Sequence, residues 1–171
     1  MAKIDYNVFL IGFMGAGKST IARNLVKELD MELIEMDETI VKQQGKSINE
    51  IFDQVGEDGF RDIESKLVLD IITEKNAIVS CGGGVVIRRE NVENMKKNGK
   101  IIFLTATPET ILERVKNGKD RPLLNGHMNV EYISEMMEKR REMYENAADI
   151  KISTDGKTKG EITEEIIAKL S

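Results

Sequence analysis

Hydrophobic residues along the chain gather in short continuous runs that alternate with longer amphipathic stretches. A strand buried on both faces of a parallel sheet needs no polar alternation, so such runs predict β-strands. The predicted strands cover residues 6–11, 31–36, 77–81, 100–105 and 149–154.

The stretches between these runs carry apolar residues at helical spacing, as Ile21, Leu25 and Leu29 do after Lys18. Helices are predicted over 18–29, 37–44, 57–75, 88–98, 129–147 and 158–170, with further starts at the capping box of Ser47 and Glu50 and at Thr107-Pro108. Strands that alternate with helices predict one α/β domain over residues 1–171, a three-layer α/β/α sandwich with a five-stranded parallel sheet.

Composition narrows the function classes. The 171 residues carry a formal charge of −5 without basic runs, which argues against nucleic acid and anionic membranes as partners. A single cysteine, Cys81, excludes an intrachain disulfide, and the start "MAKIDYNVFLIGF" has no cleavage signal. We therefore expect a cytoplasmic protein, and a monomer.

Residues 12–19, "GFMGAGKS", match the phosphate-binding pattern G-x-x-x-x-G-K-[ST] between a predicted strand and a predicted helix. Glycines let backbone N–H groups surround phosphate oxygens, Lys18 reaches the β and γ phosphates, and the Ser19 hydroxyl ligates Mg²⁺. This loop serves kinases, switches, motors and transporters alike. The GTPase-like strings at 53–56 and 117–120 lie outside the positions that guanine-nucleotide chemistry needs, so a GTPase is disfavoured.

Two carboxylates, Glu35 and Asp37, follow the second predicted strand. Ligands of open α/β sheets bind beyond the carboxyl ends of the strands, where an acid can accept a hydrogen bond from an attacking hydroxyl or hold Mg²⁺ through water. The alternative is a solvated turn in which Asp37 caps a helix. Position alone leaves both interpretations open.

Arginines form the third candidate group. Arg140 falls in the middle of the apolar stripe of the helix over 129–147, and a buried arginine must be paired. It is therefore a partner in a structural salt bridge or a clamp for an anionic substrate. Glu64 stands three residues after Arg61 and can pair with it. Arg121 lies in a polar segment, 116–127, that we predict to be a mobile lid, from which it can act as an arginine finger.

The third predicted strand ends in Gly82, Gly83 and Gly84, and three consecutive glycines favour a ligand lying against the backbone. Together with these glycines, "GFMGAGKST" (12–20), Asp37, "FRDIE" (60–64), "RPLL" (121–124) and "KRREMY" (139–144) resemble the shikimate kinase family, within the nucleoside-monophosphate-kinase-like group of P-loop folds. The order and spacing of these motifs match over nearly the whole chain.

The resemblance implies ATP-dependent phosphorylation of the 3-hydroxyl of shikimate with Mg²⁺, a step towards chorismate and the aromatic amino acids. Its implied catalytic residues are Lys18, Asp37 and Arg121, and Ser19 is the metal ligand. The implied ATP-binding residues are Gly15, Ala16, Gly17, Lys18, Ser19, Thr20, Arg114, Arg121 and Lys157. The implied substrate-binding residues are Asp37, Arg61, Gly82, Gly83, Gly84 and Arg140, within a substrate-binding subregion over about 37–65.

Position 35 departs from the family pattern: the family usually has aspartate there, and this chain has Glu35. Two alternatives remain at this stage. A gluconate kinase-like enzyme tends to carry a histidine in the loop after the second strand, and "MDETIVKQQG" has none. A non-catalytic nucleotide-sensing module would have the phosphate loop without a matched set of acid and arginines.

Overall fold

A computed structural model describes residues 4–73, 76–116 and 129–170 of the chain. Its centre is a five-stranded parallel sheet in the order β2-β3-β1-β4-β5. The strands are β1 (Asn7–Ile11), β2 (Glu32–Glu35), β3 (Ala77–Ser80), β4 (Gly99–Thr105) and β5 (Ile150–Ser153). The predicted α/β fold with a five-stranded parallel sheet is confirmed.

Seven helices surround the sheet in the described residues: α1 (Lys18–Leu29), α2 (Met36–Gln44), α3 (Ile48–Ile71), α4 (Arg89–Asn98), α5 (Pro108–Val115), α6 (Val130–Ala147) and α7 (Lys159–Leu170). The predicted helix over 57–75 is the second part of α3, which ends at Ile71 and is kinked at Gly56 (φ 71°, ψ −179°). A short 3₁₀ turn, Val85–Ile87, was not predicted. None of the described helices is long and apolar enough to cross a membrane.

Alternate residues of the central strands face two separate hydrophobic clusters, as a parallel sheet covered on both faces requires. Val8 and Leu10 of β1 face α1, α5 and α7, whereas Phe9 and Ile11 face α3 and α4. Helix α6 contributes to both clusters, through Ile133 to the first and through residues near its C-terminal end to the second. These contacts produce the three layers and fix the loops at the carboxyl edge of the sheet.

The strand order places a crevice at the end of β1. The connection from β1 runs through α1 to the far edge at β2, while the connection from β4 runs the other way to β5. Loops that leave neighbouring strands in opposite directions open a ligand-binding crevice at the carboxyl ends of those strands. The phosphate-binding motif at residues 12–19 lies at this point.

The close packing of Gly12 against β4 leads to a prediction about stability. Its φ is +152°, and an added Cβ would lie 2.5 Å from the Leu104 carbonyl oxygen. We expect Gly12→Ala to lower the free energy of unfolding by about 2–5 kcal/mol, because backbone strain and a clash with backbone add together. The measurement is denaturant unfolding monitored by circular dichroism.

Gly45→Ala is the matched control, since Gly45 also has a positive φ (+67°) but an added Cβ meets nothing within 4 Å. That variant should lose only about 1 kcal/mol, the cost of a left-handed alanine. Equal losses in the two variants would contradict the close packing of Gly12 against β4.

Candidate active site

The phosphate-binding loop joins β1 to α1 and leaves the first backbone N–H groups of α1 directed at the crevice. Gly17 is the N-cap of α1 and has a left-handed conformation (φ 96°, ψ 16°) that favours glycine. Ala16 is buried and Thr20 is exposed. Because its side chain has no polar atom, Ala16 can bind a phosphate only through its backbone. The arrangement is the one that the sequence motif predicts.

Lys18 extends back over this loop. Its Nζ atom donates hydrogen bonds to the carbonyl oxygens of Gly12 (2.6 Å) and Phe13 (3.1 Å). The ammonium group therefore lies against carbonyl oxygens of the loop rather than in bulk solvent. It lines a cleft of about 450 Å³ together with Ser19, Glu35, Asp37 and Arg114.

Two hydroxyls and one carboxylate in this cleft fit a magnesium ion. The Oγ atoms of Ser19 and Ser80 lie 3.4 Å apart, and Ser80 pairs with Glu35 across the neighbouring strands β3 and β2. Burial raises the pKa of Glu35, as does the neighbouring Glu38, while a hydrogen bond from Ser19 opposes the shift. Hard oxygen atoms of this kind suit Mg²⁺, which keeps several waters and takes few protein ligands beside nucleotide phosphates.

Sequence reasoning overlooked Ser80. It is the last residue of β3, and its neighbour in space, Ser19, is 61 residues away in the chain. The available signal was its position at the carboxyl end of a strand that the fold class places beside β1. Glu35 lies 3.5 Å from Arg23, a contact that the sequence did not suggest either.

Asp37 stands where two clefts meet. It lines the 450 Å³ phosphate cleft and also a neighbouring cleft of about 670 Å³ that contains Arg61, Glu64 and Arg140. The N-cap of α2 is Glu35, so Asp37 lies in the first turn of the helix and does not cap it. Its Oδ1 atom would be 2.9 Å from a Cβ added to Gly82.

Arg61 is held by a predicted partner. Its NH1 group donates to Oε1 of Glu64 at 3.1 Å, and Oε2 of Glu57 lies 3.9 Å from NH2. Both Arg61 (6% exposed) and Glu64 (0%) are buried in α3, so the pair predicted from their spacing is confirmed. A Cβ at Gly84 would lie 2.5 Å from the Arg61 guanidinium, and this arginine can occupy its position only because residue 84 is glycine.

Glu64 has an unusual environment for a carboxylate. Burial raises the pKa of Glu64, and the nearby Asp37 raises it further, although Arg61 and Arg140 favour the charged form. Its buried Oε2 atom has no hydrogen-bond partner among the described residues and lies near Gly82, at the wall of the cleft. Glu64 therefore orients Arg61 through their hydrogen bond, although burial of the Glu64 carboxylate costs solvation free energy.

Arg140 is also buried, at 8% exposure, on α6. No ion pair joins it to a carboxylate in residues 4–73, 76–116 and 129–170. Its NH1 atom would lie 3.8 Å from a Cβ added to Gly83, so the guanidinium lies against the glycine turn. Of the two interpretations of this residue, the absence of a carboxylate partner there favours a clamp over a structural salt bridge.

The remaining residues that were predicted to bind ATP do not all lie at the phosphate cleft. Arg114 donates to the carbonyl of Gly15 (3.0 Å) and to Oγ1 of Thr154 (3.3 Å), beside the phosphate cleft. Lys157 instead forms an ion pair with Glu165 at 2.7 Å and does not line that cleft. Arg121 and all of the predicted lid except Lys116 lie outside the described residues.

The fold and the two joined clefts define a P-loop kinase. A family model described as shikimate kinase matches residues 14–171. A protein named shikimate kinase from Persephonella marina is 42% identical over 164 residues, which are 96% of this chain and 98% of that protein.

Solved structures agree. The shikimate kinase of Acinetobacter baumannii in complex with shikimate has a TM-score of 0.92 and 29% identity, over 96% of this chain and 92% of that chain. The shikimate kinase of Aquifex aeolicus has a TM-score of 0.83 and 36% identity, with 96% and 95% covered. The chain belongs to the shikimate kinase family, and the predicted family is confirmed.

The burial of Glu64 makes a prediction about pH. Because the pKa of Glu64 is raised above its ordinary 4.5 in the folded state, the folded protein holds a proton that the unfolded chain has lost. This carboxyl therefore makes the free energy of unfolding fall as pH rises from about 4.5 towards the folded pKa. Glu64→Gln cannot titrate, so its stability relative to the wild type should improve as pH rises from about 4.5 to 7. Urea unfolding at a series of pH values measures this difference.

Glu57→Gln removes an exposed carboxylate 3.9 Å from the same guanidinium and controls for lost charge near Arg61. Parallel pH curves for the wild type and Glu64→Gln would show that burial does not perturb Glu64.

Proposed function

We propose that the chain transfers the γ-phosphoryl group of ATP to the 3-hydroxyl of shikimate. One observation carries this proposal: Asp37 belongs to both the phosphate cleft and the cleft that holds Arg61 and Arg140. An acceptor bound in the second cleft would have a hydroxyl at Asp37 and its far end at the arginines. Family membership supplies the identity of that acceptor.

The two arginines suit the carboxylate of shikimate. A guanidinium offers paired N–H donors that match a carboxylate, and such charge-assisted bonds are strong in a partly buried site. Glu64 orients Arg61 through the 3.1 Å contact, and the glycine turn lets both guanidinium groups approach the backbone. Shikimate bound in this way fills the 670 Å³ cleft with its ring between the arginines and Asp37.

The chemistry follows from where charge develops. Asp37 accepts the hydrogen bond of the attacking hydroxyl and orients or receives its proton. Lys18 and the loop N–H groups stabilise negative charge on the transferring phosphoryl group. Ser19, with Ser80 and Glu35 nearby, would hold Mg²⁺, which would neutralise charge on the nucleotide phosphates.

The nucleotide occupies the remaining part of the site. The backbone of residues 15–20 surrounds the phosphates, and Arg114, which lines the same cleft, flanks the adenine, as the family resemblance implies. Arg121 acts from the lid on the transferring group, as the family resemblance implies. Lys157 would have to leave Glu165 to reach the nucleotide, so we assign it the weakest contact. One domain, a monomeric state and a cytoplasmic location also stay predictions.

The decisive experiment incubates the full chain with ATP, Mg²⁺ and shikimate and analyses the organic acid by mass spectrometry. We expect shikimate to gain one phosphoryl group, at the 3-hydroxyl by NMR, while gluconate in a parallel reaction gains none. Phosphorylation of gluconate alone would support the alternative enzyme. ATP binding without turnover of either acid would support a nucleotide-sensing module and reject the proposal.

Arg140→Met distinguishes a clamp from a structural arginine. Methionine keeps the apolar stem but removes the guanidinium, so a clamp should lose about 10- to 100-fold in KM for shikimate. The KM for ATP and the melting temperature should change little. A structural ion-pair partner would instead lower stability by about 3–5 kcal/mol.

The neighbouring Arg141→Met is the matched control. Arg141 is exposed and pairs with Glu138 at 2.9 Å on the outer side of α6, where an ion pair contributes little. We expect normal kinetics and stability from that variant. A large melting-point loss in Arg140→Met with an unchanged shikimate KM would reject the clamp.

A further inference from the structure

Tyr144 joins α6 to the glycine turn from behind the substrate cleft. Its hydroxyl donates a hydrogen bond to the carbonyl oxygen of Gly83. The ring is 2% exposed and stacks on Phe103, with centroids 5.0 Å apart and planes at 25°. The ring therefore packs on Phe103, while the hydroxyl makes its own hydrogen bond to Gly83.

This hydrogen bond fixes the orientation of a peptide group. In a trans peptide the C=O and the following N–H lie in one plane and point in opposite directions. With the Gly83 carbonyl held towards the Tyr144 hydroxyl, the N–H of Gly84 is directed away from that hydroxyl. Gly84 lines the 670 Å³ cleft, and the Arg61 guanidinium lies beside it.

Among the described residues, no backbone hydrogen bond of the turn uses this N–H. Val85 and Ile87 donate to the carbonyls of Gly82 (3.2 Å) and Gly84 (3.1 Å), so the turn is closed through other groups. Because Gly83 and Gly84 carry no side chains, only the contacts of their backbone atoms restrain this peptide plane.

The same hydroxyl lies near the second arginine of the cleft. Arg140 is one turn before Tyr144 on α6, and its positive charge opposes the effect of burial on the pKa of Tyr144. The proton of the hydroxyl goes to Gly83. Burial raises the pKa of Tyr144, so the hydroxyl keeps that proton at neutral pH.

We propose that Tyr144 is a positioning residue whose hydroxyl, through the Gly83 carbonyl, aims the Gly84 N–H at the oxygen atoms of the bound acceptor. This inference rests on the proposed function, because it takes the arginine-lined cleft as the acceptor site. Tyr144 itself lies behind the turn and acts through this peptide group.

Tyr144→Phe removes the hydroxyl and keeps the ring on Phe103. We expect the KM for shikimate to rise about 5- to 20-fold, as for the loss of the hydrogen bond that orients a donor. The KM for ATP should stay within about twofold, since the hydrogen bond of this hydroxyl ends on Gly83 and not on a residue of the phosphate-binding motif. Calorimetric binding of shikimate to the full chain should weaken by the same factor.

Tyr6→Phe is the matched control. Tyr6 immediately precedes β1, at the opposite end of the sheet, where its ring lies 5.5 Å from the Lys100 ammonium. It should leave both KM values unchanged. Equal rises in the KM values for ATP and shikimate in Tyr144→Phe would indicate general loosening of the fold and overturn the positioning role.

The amide proton of Gly84 gives a readout that a purely structural tyrosine would not move. In ¹⁵N-labelled wild-type protein, shikimate should shift this resonance downfield, and the shift should shrink in Tyr144→Phe. An unresponsive Gly84 amide in wild-type protein that binds shikimate would overturn the inference, whatever the variant does. Wild-type protein that binds no shikimate would instead reject the proposed function, so the two failures can be told apart.

Discussion

Because Gly82, Gly83 and Gly84 have no side chains, charged groups can come close together at the end of β3. A Cβ at residue 82 would lie 2.9 Å from both Asp37 and Glu64, and one at residue 84 would overlap the Arg61 guanidinium. Two acids and two arginines therefore approach one stretch of bare backbone from α2, α3 and α6. A side chain at residue 82 or 84 would push these groups apart, whereas a Cβ at residue 83 would meet nothing closer than 3.7 Å.

The charges gathered there are not arranged for stability. Glu64 is fully buried, and desolvation outweighs its pairing with Arg61, so the carboxyl is held in an environment that disfavours its charge. Arg140 is buried without a carboxylate partner in the described part of the chain. A buried arginine of this kind would complete its hydrogen bonds when an anion binds, as the proposed clamp requires. The hydrophobic clusters on both faces of the sheet supply the stability that offsets this unfavourable burial of charge.

Much of this could be predicted from the sequence, because the signals were local. Continuous apolar runs marked the strands, the spacing of Arg61 and Glu64 marked their pairing, and helical periodicity marked the burial of Arg140. Ser80 and Tyr144 were not identified as site residues, because each meets its partner, Ser19 or Gly83, across 61 residues of chain. Neither the kink at Gly56 nor the 3₁₀ turn at Val85–Ile87 was predicted, since glycine and apolar residues there fit several local structures. The roles of the individual site residues stay predictions.

The kink at Gly56 divides α3 into two segments with different attachments. The first segment begins with the capping box of Ser47 and Glu50 and contributes Ile48, Asn49 and Phe52 to the wall of the cleft. The second carries Arg61 and Glu64 and is anchored in the core by Leu67, Val68 and Ile71. A glycine imposes little torsional preference of its own, so the angle between the segments is set by what each one packs against. The tilt of the cleft wall is therefore set by the packing of the first segment, whereas the position of Arg61, the proposed clamp, is set by the core beneath the sheet.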